Sequence, residues 1–238
     1  MSIFTRKTSF NRCSFLKGYT DCHCHILPGV DDGFRTVEDS LAALAMYEAA
    51  GISEVWLTPH IMEDVPNATG FLCERFEEFR QEYTGPVKLH LAAENMLDAL
   101  FEQRLAEKDL LTFNGKFLLV ETSYFNPPMD LHGLIAQIKS AGLFPVLAHP
   151  ERYMYMDEPE YASLKAEGVF FQLNLPSLAG AYGSTVRSKA EMILKKGWYD
   201  LSGTDLHRKS AFTHLLEEPF PAKLAGLLPS GARFLAQL

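Results

Sequence analysis

Cysteine is scarce in this sequence: Cys13, Cys22, Cys24 and Cys73 are too few and too unevenly placed to form the disulfide framework of a secreted scaffold. A reducing compartment is the simpler setting. No apolar run approaches membrane-spanning length, and the first 18 residues lack the continuous hydrophobic stretch of a signal peptide. Positive charge is in deficit, with 22 Lys and Arg against 30 Asp and Glu for a formal charge of −8. That balance argues against a nucleic-acid backbone as the main partner. The glycine-rich phosphate loops GxGxxG and GxxxxGK[ST] are missing, as are GxSxG and HExxH. No cysteine is followed by five residues and an arginine, which removes phosphocysteine chemistry.

What is present is an ordinary globular composition, 47% hydrophobic and 22% charged over 238 residues, enough for one barrel-sized domain. Residues 1–18 read as a basic arm carrying Arg6, Lys7, Arg12 and Lys17 without an acid, an extended leader for which membrane-surface or partner docking is the lesser option. Residues 19–238 read as one domain without repeats or long polar linkers. Strands are expected at 19–27, 54–58, 87–93, 117–121, 144–148, 169–173 and 199–202, several of them short apolar runs suited to burial on both faces. Helices are expected at 37–50, 70–83, 97–107, 131–141, 158–167, 185–196 and 210–217. Gly51, Gly142, Gly168 and Gly197 follow four of them as left-handed caps.

Seven strand–helix repeats imply right-handed crossovers and parallel pairing, in a doubly wound sheet or a barrel. The polar residues decide for the barrel. His25, His60, Glu94, Glu121, His149 and Asp205 all fall at or just past a strand's C-terminal end, and only a barrel brings such ends to one rim. His23 and His25 share a strand face, which leaves Cys22 and Cys24 facing away as packing residues. Of Asp31 and Asp32, one suits a turn and the other a cation. Glu94 and Glu121 terminate apolar runs where a bare carboxylate is costly, so each needs a positive partner. Thr58-Pro59-His60, His149-Pro150-Glu151-Arg152 and Thr204-Asp205-Leu206-His207 complete the set. Arg152 offers a planar fork for phosphate, or else a salt bridge to Glu151 or Glu158. His90, His132 and His214 fall outside the pattern. Nitrogen and oxygen ligands without thiolate suit Mn, Fe, Zn or Mg, and nine candidates exceed what one tetrahedral ion needs. Two or three divalent ions clamping a phosphoester make phosphoryl hydrolysis the natural reaction.

Taken in order, these motifs, beginning with His23-Cys24-His25-Ile26-Leu27-Pro28-Gly29-Val30-Asp31-Asp32-Gly33, resemble the polymerase and histidinol phosphatase (PHP) superfamily over residues 19–215. More closely they resemble the manganese-dependent protein tyrosine phosphatases of bacterial capsule and exopolysaccharide clusters. The resemblance implies a distorted, TIM-like (βα)7 barrel with three metals, manganese first among them, and a cytoplasmic setting. It implies as substrate a phosphotyrosine-bearing tyrosine autokinase of a polysaccharide export system, with the membrane involved only through that partner. Carried over by position, His23, His25, Asp32, His60, Glu94, Glu121, His149, Asp205 and His207 become metal ligands, with Glu121 as the bridge, and Arg152 binds phosphate. Glu121 and His149 join Arg152 as the residues on which turnover depends. The sequence departs from the pattern in three places. Ile61 replaces a frequent second histidine, Thr204 and Leu206 replace Ser and Ala, and Phe212 replaces an arginine whose role would pass to Arg208 or Lys209. A small-molecule phosphatase such as histidinol phosphatase is the alternative, with loops 61–69 and 123–129 as the discriminating segments. A non-catalytic metal-binding module of an export complex is the second.

Overall fold

A computed structural model describes residues 6–235. In chain order the elements are β1 (Lys7–Thr8), β2 (Thr20–Cys24), α1 (Val37–Ala50), β3 (Glu54–Leu57), β4 (His60–Ile61), α2 (Thr69–Glu82), β5 (Lys88–Leu91), β6 (Glu94–Met96), α3 (Phe101–Glu107), β7 (Phe117–Glu121), α4 (Leu131–Ser140), β8 (Phe144–Ala148), α5 (Glu158–Ala166), β9 (Phe170–Asn174), α6 (Leu175–Leu178), α7 (Gly183–Lys195), β10 (Leu201–Gly203), α8 (Lys209–Glu217), β11 (Phe220–Pro221) and α9 (Gly231–Leu235). Local chemistry sets the helix ends. Thr36, Asp130 and Asp157 accept hydrogen bonds from first-turn N–H groups of α1, α4 and α5, and Gly51 closes α1 at φ 86°. Gly142, Gly168 and Gly197 also have positive φ, as expected of helix stops.

The strands form a curled parallel sheet wrapped by helices, cut into a six-stranded part, β10-β9-β8-β7-β6-β4, and a three-stranded part, β2-β3-β5. This departs from seven continuous strands. The second expected strand, 54–58, is β3, and beyond Pro59 a short β4 follows it that was not expected; the third, 87–93, gives β5, and beyond Ala92-Ala93 an unexpected β6 follows, so that β4 pairs with β6 while β3 pairs with β5. The ends of the two parts meet where the Asp205 N–H donates to the His23 carbonyl at 2.7 Å and the His25 N–H to the Leu206 carbonyl at 3.0 Å.

Alternation along the strands separates an outer core from an inner one. Leu118 and Val120 of β7 pack toward the helices, whereas Phe117 and Leu119 join Trp56, Val146 and Ala148 inside the curl, and Glu121 continues that inner face. Apolar residues thus fill the interior below a polar rim. Cys24 packs outward, but Cys22 belongs to the inner core, contrary to the expectation that both face away together. A register shift in β2 between Asp21 and Cys24 accounts for this.

The described part of the basic arm is built into the domain rather than trailing from it. Lys7–Thr8 pairs antiparallel with Phe220–Pro221, and Phe10 and Leu16 are buried. Burial of one such aromatic contributes on the order of 2 kcal/mol. Residues 1–5 of the arm lie outside the described residues. No described helix is long and apolar enough to cross a membrane.

Candidate metal centre

At the C-terminal rim of the sheet the nine expected ligands converge. Three overlapping groups of donor atoms form: His25, Asp32, His60 and His207; His23, His25 and Glu94; His60, Glu94 and Glu121. His149 joins through Nε2, 2.9 Å from Glu94 Oε1 and 3.9 Å from Glu121 Oε2. Asp205 joins through Oδ1, 3.4 Å from His25 Nε2 and 3.6 Å from His23 Nε2. Glu94 takes part in two of the groups and Glu121 in one. By this geometry Glu94 is the more widely shared donor. Pairing places it there, since His60 is its direct neighbour across β4 and β6.

The histidines are held with a lone pair aimed at the centre. His23 Nδ1 donates to Gln172 Oε1 at 3.0 Å, His25 Nδ1 to Asp31 Oδ2 at 2.8 Å, and His207 Nδ1 to the backbone carbonyl of Asp205 at 2.9 Å. Each partner accepts at Nδ1, so Nε2 is left as the acceptor, the tautomer of a metal ligand. His23 Nε2 and His25 Nε2 then face each other across 3.1 Å. Two lone pairs at that distance repel unless a cation or proton stands between them. Burial opposes charge on His23, but Glu94 and Asp205 outweigh it and push its pKa up to about 9. Burial likewise opposes ionisation of Glu94, yet His23, His149 and His25 hold its carboxyl well below the usual range. Coordination would reverse the histidine shift, because a metal competes with the proton for the same lone pair.

Among the described residues, buried Glu94 Oε2, Glu121 Oε1 and His60 Nδ1 have no hydrogen-bond partner, although Glu94 Oε2 and Glu121 Oε1 stand 3.2 and 3.1 Å from His60 Nδ1. Orphaned acceptors in a dry site are expensive. A hard or borderline divalent cation accepts all three, so the donor set fits metal and not a neutral packing role. His149 and Asp205 add strain, with φ of 34° and 50° in the left-handed region, a conformation that the surrounding structure must enforce. Glycine permits the closeness: a Cβ at Gly33 would collide with the backbone of His25, and one at Gly203 with His23.

Asp31 and Asp32 divide the labour. The Asp31 side chain is fully buried and accepts from His25 Nδ1 and the backbone N–H groups of Gly33 and His60. The Asp32 side chain is 70% exposed, its Oδ1 at 3.3 Å from His207 Nε2 and 3.5 Å from His60 Nε2. Arg152 pairs with neither Glu151 nor Glu158. Its Nη1 lies 2.6 Å from Asp205 Oδ2, and the guanidinium is sandwiched between the rings of Tyr124 and Tyr182, 4.3 Å from each centroid. Glu151 is buried elsewhere, accepting from the Asn174 N–H and the Tyr199 hydroxyl, while Glu158 pairs with Lys196. Phe212 packs inward on Tyr47 and brings no charge to the rim.

Several supporting residues escaped the sequence reading. Gln172 Oε1 accepts both from His23 and from the His149 backbone N–H, and Asn174 Nδ2 donates to Asp205 Oδ2 at 3.0 Å. Their signal was available: two amides at i and i+2 in the apolar strand FFQLN must share a face. Tyr124 and Tyr182 come from loops, where no periodicity marks them.

The geometry has relatives. The profile of the CpsB/CapC family, described as capsular polysaccharide synthesis, matches residues 19–219. Tyrosine-protein phosphatase YwqE of Bacillus subtilis is 27% identical over 229 residues, 90% of each chain. Tyrosine-protein phosphatase CpsB of Streptococcus pneumoniae is 29% identical over 203 residues, covering 79% of this chain and 82% of that one. A chain from the crystal structures of YwqE and CpsB, described as metal-dependent tyrosine phosphatases, superposes with a TM-score of 0.78 at 25% identity, covering 92% of this chain and 94% of that one. With the match spanning the whole curled sheet and every rim residue, the chain belongs to the CpsB/CapC family of capsular polysaccharide synthesis.

Proposed function

We infer that this protein is a metal-dependent protein tyrosine phosphatase, with two or three divalent ions, manganese first among them, held by His23, His25, Asp32, His60, Glu94, Glu121, His149, Asp205 and His207. The observation that carries the reading is the buried trio Glu94 Oε2, Glu121 Oε1 and His60 Nδ1, three polar atoms without a hydrogen-bond partner among the described residues, at the centre of the donor cluster. When bound, the ions supply Lewis-acid polarisation and charge neutralisation for the attack of water on a phosphoryl group. The side chains do the rest. Arg152, held between two tyrosines and beside Asp205, presents a rigid fork to phosphoryl oxygens and exchanges its Asp205 contact for them when substrate enters. Gln172, Asp31 and Asn174 hold His23, His25 and Asp205 in their ligating orientation.

A protein substrate is favoured over a small phosphoester by the loop after β7, where Phe125, next in sequence to Tyr124, is 73% exposed and Met129 is also exposed. The family's place in capsule synthesis points to a tyrosine kinase of polysaccharide export as that substrate. Four unpaired cysteines suit a cytoplasmic setting. We also read the nine parallel strands as seven staves of a distorted barrel, two of them broken at Pro59 and at Ala92-Ala93. The test compares phosphate release from a phosphotyrosyl peptide and from histidinol phosphate, each with manganese and with EDTA. Metal-dependent release from the peptide is expected. Faster turnover of histidinol phosphate would move the assignment to a small-molecule phosphatase, and EDTA-resistant turnover would remove the metals from the mechanism.

A further inference from the structure

Beside the ligand cluster runs a cleft of about 340 Å³, bounded on one side by Asp32, Arg35 and Asp39 and on the other by His207, Arg208 and Lys209. Its walls approach each other at two points. Asp32 Oδ1 lies 3.3 Å from His207 Nε2 at the metal end, and Asp39 Oδ1 lies 2.8 Å from Lys209 Nζ. Lys209 thus offsets Asp39, and Asp32 belongs to the donor cluster. Arg35 and Arg208 are exposed and make no ion pair among the described residues, in a chain whose formal charge is −8. Two uncompensated guanidinium groups on one cleft repel each other and attract an anion.

The segment carrying Arg35 is fixed on both sides. The Phe34 N–H donates to the His25 carbonyl at 3.2 Å, the Gly29 N–H to the Phe34 carbonyl at 2.8 Å, and Phe34 itself is buried. Immediately after Arg35, Thr36 caps α1. Little backbone entropy remains to be lost when the arginine takes a ligand. Because the cleft opens from Asp32 and His207, which border the metal cluster, anything bound there is next to the reacting phosphate. Residues flanking a phosphotyrosine in an extended peptide are within about 7 Å along the chain.

We propose that this cleft is a subsite for an acidic side chain of the substrate, in which the Arg35 guanidinium takes the carboxylate of an Asp or Glu flanking the phosphotyrosine. The proposal rests on the phosphotyrosyl-protein reading given above. It makes Arg35 a determinant of which phosphotyrosines are chosen, separate from the chemistry at the metals. The pair is exposed to water, so its effect is modest.

The experiment uses the full chain with manganese and a peptide panel in which one glutamate is moved along either side of the phosphotyrosine, with an alanine-flanked peptide and p-nitrophenyl phosphate as references. Wild type is expected to prefer the best acidic peptide by about fivefold in kcat/KM. Arg35→Glu should abolish or invert that preference and leave p-nitrophenyl phosphate hydrolysis unchanged, and Arg35→Lys should keep part of it. Equal rates on acidic and alanine-flanked peptides in wild type, or an undiminished preference in Arg35→Glu, would overturn the subsite. If no phosphoester were hydrolysed, the phosphatase reading itself would fall. Fluorescence anisotropy of the same peptides then decides the cleft independently: tighter binding of the acidic peptide that is lost in Arg35→Glu sustains it, and equal affinities reject it.

Discussion

Five of the eight histidines gather at one rim, and three stand apart, His132 and His214 exposed and His90 half-buried on Trp56, yet members of both groups lie beside carboxylates. The surroundings differ. At the rim, His23, His25 and His207 each give one nitrogen to a fixed acceptor and turn the other toward the cluster. On the surface, His132 has a glutamate at each nitrogen, Glu167 at 2.7 Å and Glu160 at 3.2 Å, an arrangement that suits a protonated ring. Proximity of histidine to carboxylate therefore says little by itself. Burial and a defined tautomer separate a ligand from an ion pair.

The comparison breaks hardest at its most central carboxylate. Glu94→Gln keeps the volume but removes the charge shared by two groups of ligands, and kcat on a phosphotyrosyl peptide is expected to fall by about 10³-fold or more, together with metal content. His214→Ala, on the surface of α8, should change neither. Elemental analysis alongside steady-state rates checks both, and a Glu94→Gln protein with full metal and normal kcat would dismantle the centre as drawn. Next in size is Arg152→Ala, with a loss of about 10²-fold in kcat/KM. Metal content should survive because Asn174 still holds Asp205 Oδ2, and Arg152→Lys should recover only part of the rate. Metal loss in step with activity would instead make the Asp205 contact the main role of Arg152.

Much of this rim was legible in the sequence because strand geometry is periodic. Ligands at the ends of apolar runs could be placed from the runs alone, and His23 with His25 followed from the two-residue repeat. The breaks in the second and third strands were not legible, since Pro59 and Ala92-Ala93 read as strand ends or continuations until their neighbours are known. The place of Glu94 in two of the donor groups depends on pairing register between strands distant in sequence. The Tyr124 and Tyr182 sandwich around Arg152 depends on loop paths. Nor did the basic arm announce that Phe10 would pack on Phe220, at 4.8 Å between ring centroids, because its apolar residues lack helical or strand phasing.

A sharper probe changes the tautomer and leaves every ligand in place. Asp31→Asn replaces the acceptor at His25 Nδ1 with a weaker and reorientable group, so His25 loses the partner that keeps Nε2 free. Manganese affinity should fall by about 10- to 100-fold, with activity restored at high metal concentration. Titration of metal-stripped protein measures this directly. Glu160→Gln serves as the surface counterpart and should leave the titration unchanged. Identical curves for Asp31→Asn and wild type would mean that the His25 ring is oriented by packing alone.

The smallest expected effect lies on the surface side of the comparison and concerns pH. Its slight burial disfavours the charged ring of His132, but Glu167 and Glu160 outweigh that and raise its pKa above the ordinary value of 6.5. A raised histidine pKa adds stability that is fully present below the unfolded value and is lost as pH rises through the folded one. The side chain is 45% exposed, so solvent screening keeps the contribution below about 1 kcal/mol. His132→Gln should therefore be slightly less stable than wild type near pH 5.5 and indistinguishable from it near pH 8. Urea unfolding of the two proteins at both pH values, with manganese present so that the rim histidines are held as ligands, isolates the effect. A difference of the same size at both pH values would show that His132 joins α4 to α5 by packing and not by charge.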